Sequence, residues 1–70
     1  MEKIGFYNEK DALGYIYDNY PEAKVTSTSV DSSSVSWSRL FNSKIDSYSG
    51  EVSAYLVESD DETLIVAYWE

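Results

Sequence analysis

Apolar and polar residues alternate in two runs at the end of the chain, and this pattern predicts a β-hairpin. The runs flank the acidic stretch SDDE at residues 59–62, which can turn with Asp60 and Asp61 at its tip or as a four-residue loop. Both turns give the same register. The predicted opposite residues are Glu58 with Thr63, Leu56 with Ile65, Ala54 with Ala67, and Val52 with Trp69.

The first twenty residues predict a strand followed by a helix. Ile4 and Phe6 alternate within a strand over residues 2–7, and Asn8 is a favourable N-cap for a helix over about residues 8–20. The apolar stripe of this helix consists of Leu13, Ile16, Tyr17 and Tyr20, which recur at helical spacing.

The serine-rich middle of the chain permits two interpretations. Strands over residues 24–30 and 35–41 would form a hairpin across the turn-prone residues 31–34. Alternatively, residues 36–44 are helical, because their apolar positions also fit a 3.6-residue period. The serines disfavour the helix, and the choice between strand and helix stays open.

Together these elements predict an α+β fold with a single domain over residues 1–70. We expect a small antiparallel sheet of four to five strands, with the helix packed on one face and the hairpin at its C-terminal end. A chain of 70 residues has only a small core, so each large apolar side chain matters for stability.

The two faces of the predicted hairpin differ in character. One is almost wholly apolar and is expected to lie under the helix: Val52, Ala54, Leu56, Ile65, Ala67 and Trp69. The other is half apolar with acids at its rim: Glu51, Ser53, Tyr55, Val57, Leu64, Val66, Tyr68 and Glu70. One helix covers only one side of a sheet, so some of this second face is expected to stay accessible unless a partner or the chain's own middle segment covers it.

Negative charge is concentrated in the hairpin. The chain has 13 acids and 5 bases, a net charge of −8. Residues 1–44 contain all five bases and six of the acids, whereas residues 45–70 contain seven acids and no base. Such an excess repels nucleic-acid backbones and anionic membranes and attracts basic proteins. We therefore predict a basic protein partner and no direct binding to nucleic acid or membranes.

The amino-acid composition excludes most of the common classes of catalytic site. The chain has no Cys and no His, which excludes disulfides, thiolate chemistry, zinc fingers and imidazole catalysis. It has no phosphate-binding glycine loop or serine-nucleophile motif, and Asp60, Asp61 and Glu62 lack the spacing of an EF-hand. We predict no enzyme, no catalytic or metal site and no cofactor. The start of the chain resembles neither a signal peptide nor a membrane anchor, so we expect a cytoplasmic location.

The acids and tyrosines of the hairpin are the candidate partner-binding residues. Carboxylates can engage the Lys and Arg side chains that otherwise hold a nucleic-acid backbone, and tyrosines supply contact area. The predicted site consists of Glu51, Glu58, Asp60, Asp61, Glu62, Glu70, Tyr55 and Tyr68.

In its short length, acidity, lack of Cys, abundant Tyr and α+β outline, the whole chain resembles small acidic phage-encoded inhibitors, including anti-CRISPR proteins and nucleic-acid mimics. Bacterial immunity proteins and antitoxins share this outline. The resemblance implies a non-enzymatic inhibitor that acts in the host cytoplasm on the basic nucleic-acid-binding site of another protein. No diagnostic motif carries the resemblance, so no functional residue follows from it.

A second hypothesis is an interaction or homo-oligomerisation module. In this hypothesis the Tyr-rich apolar face of the hairpin pairs with a copy of itself or with a neutral partner, and the acids only suppress wrong contacts.

Overall fold

A computed structural model describes residues 1–69, which form five strands and two helices. In chain order they are β1 (Glu2–Phe6), α1 (Glu9–Asn19), β2 (Lys24–Asp31), β3 (Arg39–Leu40), α2 (Ser43–Ser47), β4 (Glu51–Glu58) and β5 (Thr63–Tyr68), with a 3₁₀ turn at Ser32–Ser34 after β2. The α+β prediction is confirmed.

The five strands form one mixed sheet in the order β2-β4-β5-β1-β3. β4 pairs antiparallel with β2 and β5, while β1 pairs parallel with both β5 and β3. The predicted antiparallel pairing therefore holds for β2, β4 and β5, whereas β1 and β3 join the sheet as parallel strands. α1 carries the chain from the end of β1 back to the start of β2, so that these two strands run in the same direction although β5 and β4 lie between them.

The predicted hairpin register is confirmed within the β4–β5 ladder. Ala54 lies opposite Ala67, Leu56 opposite Ile65 and Glu58 opposite Thr63. The four-residue loop over 59–62 joins the strands. The ladder ends at the alanine pair, so Val52 and Trp69 lie beyond it.

Helix α1 begins as predicted, because the Asn8 side chain accepts the backbone N–H of Asp11 at 2.8 Å. The predicted apolar stripe is correct at Ile16, which is fully buried, but wrong at Tyr17, which is 62% exposed. Ala12 is buried in its place. The helix thus packs along a stripe centred on Ala12 and Ile16, where the small alanine allows close approach to the sheet.

The helix covers the hairpin face opposite to the predicted one. Val57, Leu64 and Val66 are fully buried in the same apolar cluster as Ile16. The reason lies in β1, whose Ile4 stands beside Val66 in the ladder and extends this face into a broad apolar surface. The Tyr-rich face is therefore core, and the expectation that it stays accessible is wrong.

The middle segment covers the other face. Ile45 of α2 is fully buried and packs in one cluster with Val52, Ala54, Ile65 and Ala67. Trp37, Leu40, Leu56, Trp69 and Val30 complete this cluster as partly buried members. The molecule thus has three layers: α1, the sheet, and the segment from the 3₁₀ turn to α2.

The predicted hairpin between residues 24–30 and 35–41 does not form. β2 pairs along its whole length with β4, for example Thr28 opposite Ala54, and only the two residues of β3 pair with β1. The helical alternative for residues 36–44 is also wrong, since α2 begins at Ser43. The apolar side chains of this segment are needed to cover the sheet, which a hairpin with β2 would not allow.

Candidate functional site: an acidic lobe at the β4–β5 loop

The predicted site residues are distributed over both ends of the sheet. Glu51 begins β4 and Glu58 ends it, and a strand of this length separates them by roughly 24 Å. Asp60, Asp61 and Glu62 follow Glu58 in the loop, while Glu70 lies outside the described residues. The acids therefore do not form a single surface, and the structure groups only those near the loop.

A fifth carboxylate, Glu22, joins these loop acids from the connection between α1 and β2. Together the five surround a concavity of about 310 Å³, and we call this region the acidic lobe. It consists of Glu22, Glu58, Asp60, Asp61 and Glu62, and the concavity is also lined by Asn19, Tyr20, Pro21, Ala23 and Ser59. Sequence reasoning missed Glu22, because only the topology brings the end of the helix beside the loop.

The loop that carries these acids is closed by its own hydrogen bonds. The Ser59 backbone N–H donates to the Glu62 carbonyl at 2.9 Å. The Ser59 hydroxyl donates to the same carbonyl at 2.9 Å and accepts the Glu62 N–H at 3.2 Å. Serine thus supplies the turn contacts in a loop that contains no glycine, and Asp60 and Asp61 project from a fixed frame.

A tyrosine joins the end of the helix to this loop. The Tyr20 hydroxyl donates to Glu62 Oε1 at 2.6 Å. This hydrogen bond to a carboxylate is the main cause that raises the pKa of Tyr20 well above its ordinary value, with burial as a smaller cause. Glu62 is therefore oriented by its own chain, whereas no such bond holds Asp60 or Asp61 among the contacts of residues 1–69.

A second tyrosine joins the opposite end of the helix to the sheet. The Tyr55 hydroxyl on β4 donates to Glu9 in the first turn of α1, and this bond is the main cause that raises the pKa of Tyr55 above its ordinary value. The Tyr55 ring lies 5.5 Å from that of Tyr68, which is only 8% exposed. Both predicted contact tyrosines thus pack between helix and sheet, and Tyr68 also lines a concavity with Glu51 at the start of β4.

The opposite end of the sheet carries a smaller concavity of about 230 Å³ around the start of β4. Glu51 accepts a hydrogen bond from the Ser29 hydroxyl at 2.8 Å. Tyr48 and Trp69 meet edge to face there, with ring centroids 5.2 Å apart. This end contains one of the predicted acids and is not continuous with the acidic lobe.

Basic residues leave the acidic lobe largely unneutralised. Within residues 1–69, the ion pair at 3.5 Å joins Arg39 to Glu2 at the other edge of the sheet. The Tyr15 hydroxyl accepts from the same guanidinium at 2.7 Å, and this bond chiefly raises the pKa of Arg39. Lys24 stands opposite Glu58 in the ladder and is the base nearest to the lobe by register.

Over residues 1–69, no group of three or more acids has an arrangement that could hold a metal ion. None of the helices in this range is long and apolar enough to span a membrane.

No protein-family model, curated protein or solved structure matches the chain.

Proposed function

We propose that this protein is a non-enzymatic inhibitor that binds the basic nucleic-acid-binding site of another protein through the acidic lobe. The supporting observation is the gathering of five carboxylates around one concavity without an ion pair among the contacts of residues 1–69. Clustered like charges repel one another and do not stabilise a fold, so a role in attracting a basic partner accounts for them better.

The lobe residues have different parts in this proposal. Glu58, Asp60 and Asp61 are exposed and form charge-assisted hydrogen bonds with Lys and Arg of the partner. Glu62, held by Tyr20, presents its remaining oxygen in a fixed direction. The negative potential of the acidic lobe raises its rate of association with a basic partner. Once the lobe is bound, it occupies the Lys and Arg side chains of the partner's groove and excludes a phosphate backbone from them. We place this activity in the cytoplasm.

The remaining predicted site residues have a weaker place in this function. Glu51 lies at the far end of β4, and Tyr55 and Tyr68 support the packing of α1. The alternative of oligomerisation through the Tyr-rich face requires that face to be open, and α1 covers it. No observation now favours that alternative.

Affinity capture with a matched pair of variants tests the proposal. The variant Asp60→Asn with Asp61→Asn removes two charges from the lobe, and Asp46→Asn with Glu51→Gln removes two charges elsewhere. Each protein is immobilised and exposed to a nuclease-treated bacterial lysate. We expect wild type and the control pair to retain the same nucleic-acid-binding protein, and the lobe pair to lose at least tenfold in affinity for it.

The captured protein is then titrated with a labelled oligonucleotide. We expect wild type to displace the oligonucleotide, and we expect the complex to weaken when salt is raised from 0.05 to 0.3 M, since screening acts on exposed charges. Equal retention by both variant pairs, or a complex in which the oligonucleotide stays bound, would contradict the proposal.

A further inference from the structure

The sheet has one long open edge. β2 is its outermost strand on one side, eight residues long with the sequence KVTSTSVD, and residues 24–29 are exposed. At the other edge β3 has only two residues. Proteins usually protect an edge strand with proline, a charge in its interior, a bulge or a short length. β3 has this protection, whereas β2 carries charges only at its two ends.

One hydrogen bond identifies which backbone groups of β2 face away from β4. The Ser32 N–H donates to the Gly50 carbonyl at 2.9 Å, and these two residues continue the register in which Val30 lies opposite Val52. Hydrogen-bonded pairs alternate along an antiparallel ladder, so the even-numbered residues of β2 bond to β4. The residues whose N–H and C=O face outward are Val25, Ser27, Ser29 and Asp31.

We propose that this edge pairs antiparallel with β2 of a second copy, around a two-fold axis at Thr28, to give a homodimer with one continuous sheet. A two-fold axis perpendicular to the sheet must place a residue opposite its own copy. The axis at Thr28 pairs Val25 with Asp31 and Ser27 with Ser29 of the second copy, so every outward-facing residue meets an outward-facing partner. The Asp31 carbonyl accepts the Ser34 hydroxyl at 3.0 Å and keeps a second lone pair for this ladder.

The side chains of this register are compatible. Thr28 meets Thr28, and Thr26 meets Val30 of the second copy, in the non-hydrogen-bonded pairs where side chains lie closest. Pairs of β-branched and threonine residues stabilise antiparallel ladders. The register places Lys24 opposite Ser32 and Asp31 opposite Val25 of the second copy, so no like charges of β2 lie opposite each other.

The net charge of the chain sets the response of the dimer to salt. Two copies of net charge −8 repel each other at long range, and salt screens this repulsion. Association of the copies is therefore expected to strengthen severalfold between 0.02 and 0.2 M salt. The acidic lobes lie at opposite corners of the dimer and stay free, and their binding to a basic partner is expected to weaken with salt. The two proposals thus respond to salt in opposite directions and can fail separately.

Disulfide cross-linking tests the axis directly, because the chain has no cysteine of its own. In the variant Thr28→Cys the two Cα atoms lie about 4.5 Å apart, within the range for a disulfide. In the control Thr26→Cys the two cysteines are separated by four residues along the strands, roughly 13 Å. Under mild oxidation we expect the first variant to form a covalent dimer at least tenfold more completely than the second. Equal cross-linking of both would overturn the proposed register.

Sedimentation equilibrium of the unmodified protein tests the dimer itself. We expect a mass approaching twice 8.0 kDa at high protein concentration in 0.2 M salt. Ser27→Pro removes one outward N–H and leaves the bonds to β4, and we expect it to weaken association at least tenfold, while Ser27→Ala retains the N–H and associates like wild type. Circular dichroism checks that both variants are folded. A wild-type mass of 8.0 kDa at all concentrations and salt conditions would overturn the proposal.

Discussion

The two faces of the sheet are covered in different ways. On one face an eleven-residue helix lies over Val57, Leu64 and Val66, and tyrosine–glutamate hydrogen bonds hold both of its ends. On the other face a five-residue helix and irregular chain cover Ala54 and Ala67. Both faces are fully buried at their centres. An apolar strand face thus requires a cover but does not specify a regular element as that cover.

A glycine makes the irregular cover possible. On the middle-segment side of β1, a Cβ atom at Gly5 would lie 2.6 Å from Cδ1 of Leu40 and 3.1 Å from Cδ1 of Ile45. These distances are shorter than van der Waals contact, so the ends of the Leu40 and Ile45 side chains would have to shift to admit a side chain there. The missing side chain leaves room for Leu40 and Ile45 to pack against β1.

Truncation of a buried isoleucine is expected to lower stability most, both for Ile16→Ala on the helix face and for Ile45→Ala on the other face. Both side chains are 0% exposed, and truncating a buried isoleucine to alanine costs about 2 to 5 kcal/mol. A domain of this size has roughly 3 to 5 kcal/mol of stability. We expect both variants to be largely unfolded at 25 °C by circular dichroism and urea titration. A loss below about 1 kcal/mol for Ile45→Ala would mean that the middle segment is not part of the cooperative core.

The next effect comes from Gly5→Ala, with Gly14→Ala as the matched control. The first places a methyl group against Leu40 and should lower the free energy of unfolding by about 1 to 3 kcal/mol, because an overpacked core must shift. At Gly14 of α1 nothing lies within 4 Å of the new methyl group, and alanine should raise stability by up to about 1 kcal/mol. Urea titration measures both. A gain in both variants would show that β3 and α2 adjust without cost.

The polar contacts that hold the two covers are expected to differ in their contribution to stability. Ser32 is 2% exposed, and its hydroxyl contacts the Tyr48 and Gly50 carbonyls beside the middle segment. Ser32→Ala leaves these carbonyls without that donor, at a cost of about 1 to 3 kcal/mol. Tyr20→Phe removes a more exposed bond to Glu62 and should cost about 0.5 to 1.5 kcal/mol. Thermal unfolding ranks the two variants, and the reverse order would contradict the greater burial of the Ser32 contact.

The smallest effect is the response of the helix side to alkaline pH. The pKa values of Tyr20 and Tyr55 are raised in the folded protein, so the folded state holds these protons more tightly than the unfolded chain does. Their contribution to stability is therefore complete below pH ~10, the ordinary tyrosine pKa, and declines as the pH rises above it. We expect the urea midpoint to fall less steeply between pH 9.5 and 11 when both residues are Phe. Parallel curves for wild type and the double variant would contradict this.

Local features were predictable from the sequence, and long-range placement was not. The β4–β5 register follows from two alternating runs and a short loop, and the Asn8 cap follows from its immediate neighbours. The serine-rich stretch after β2 contains turn residues, but Asp31 caps a 3₁₀ turn there instead of reversing the chain into a hairpin. Both outcomes satisfy the same local preferences, and only the uncovered face of the sheet decides between them.

In the candidate site, too, the residues that are close in sequence were predictable and those brought together by the fold were not. The loop acids were found because they are adjacent in sequence, and their exposure follows from their charge. Glu22 and Tyr20 were missed because they reach the loop only through the direction of α1. The burial of Tyr68 was not predicted because β1, with Ile4 and Phe6, enlarges the face on which this tyrosine lies, and periodicity does not reveal which strand stands beside β5.

The placement of β1 between β5 and β3 bears on how fast this domain can fold. Its two neighbours are remote in the chain, since Ile4 pairs with Arg39 and Glu2 with Leu64. The β4–β5 hairpin closes through a four-residue loop and can form within about 1 to 10 μs, whereas pairing across such separations must first overcome the entropy of closing long loops. We therefore expect docking of β1 to be the rate-limiting event and the domain to fold in milliseconds or longer despite its small size.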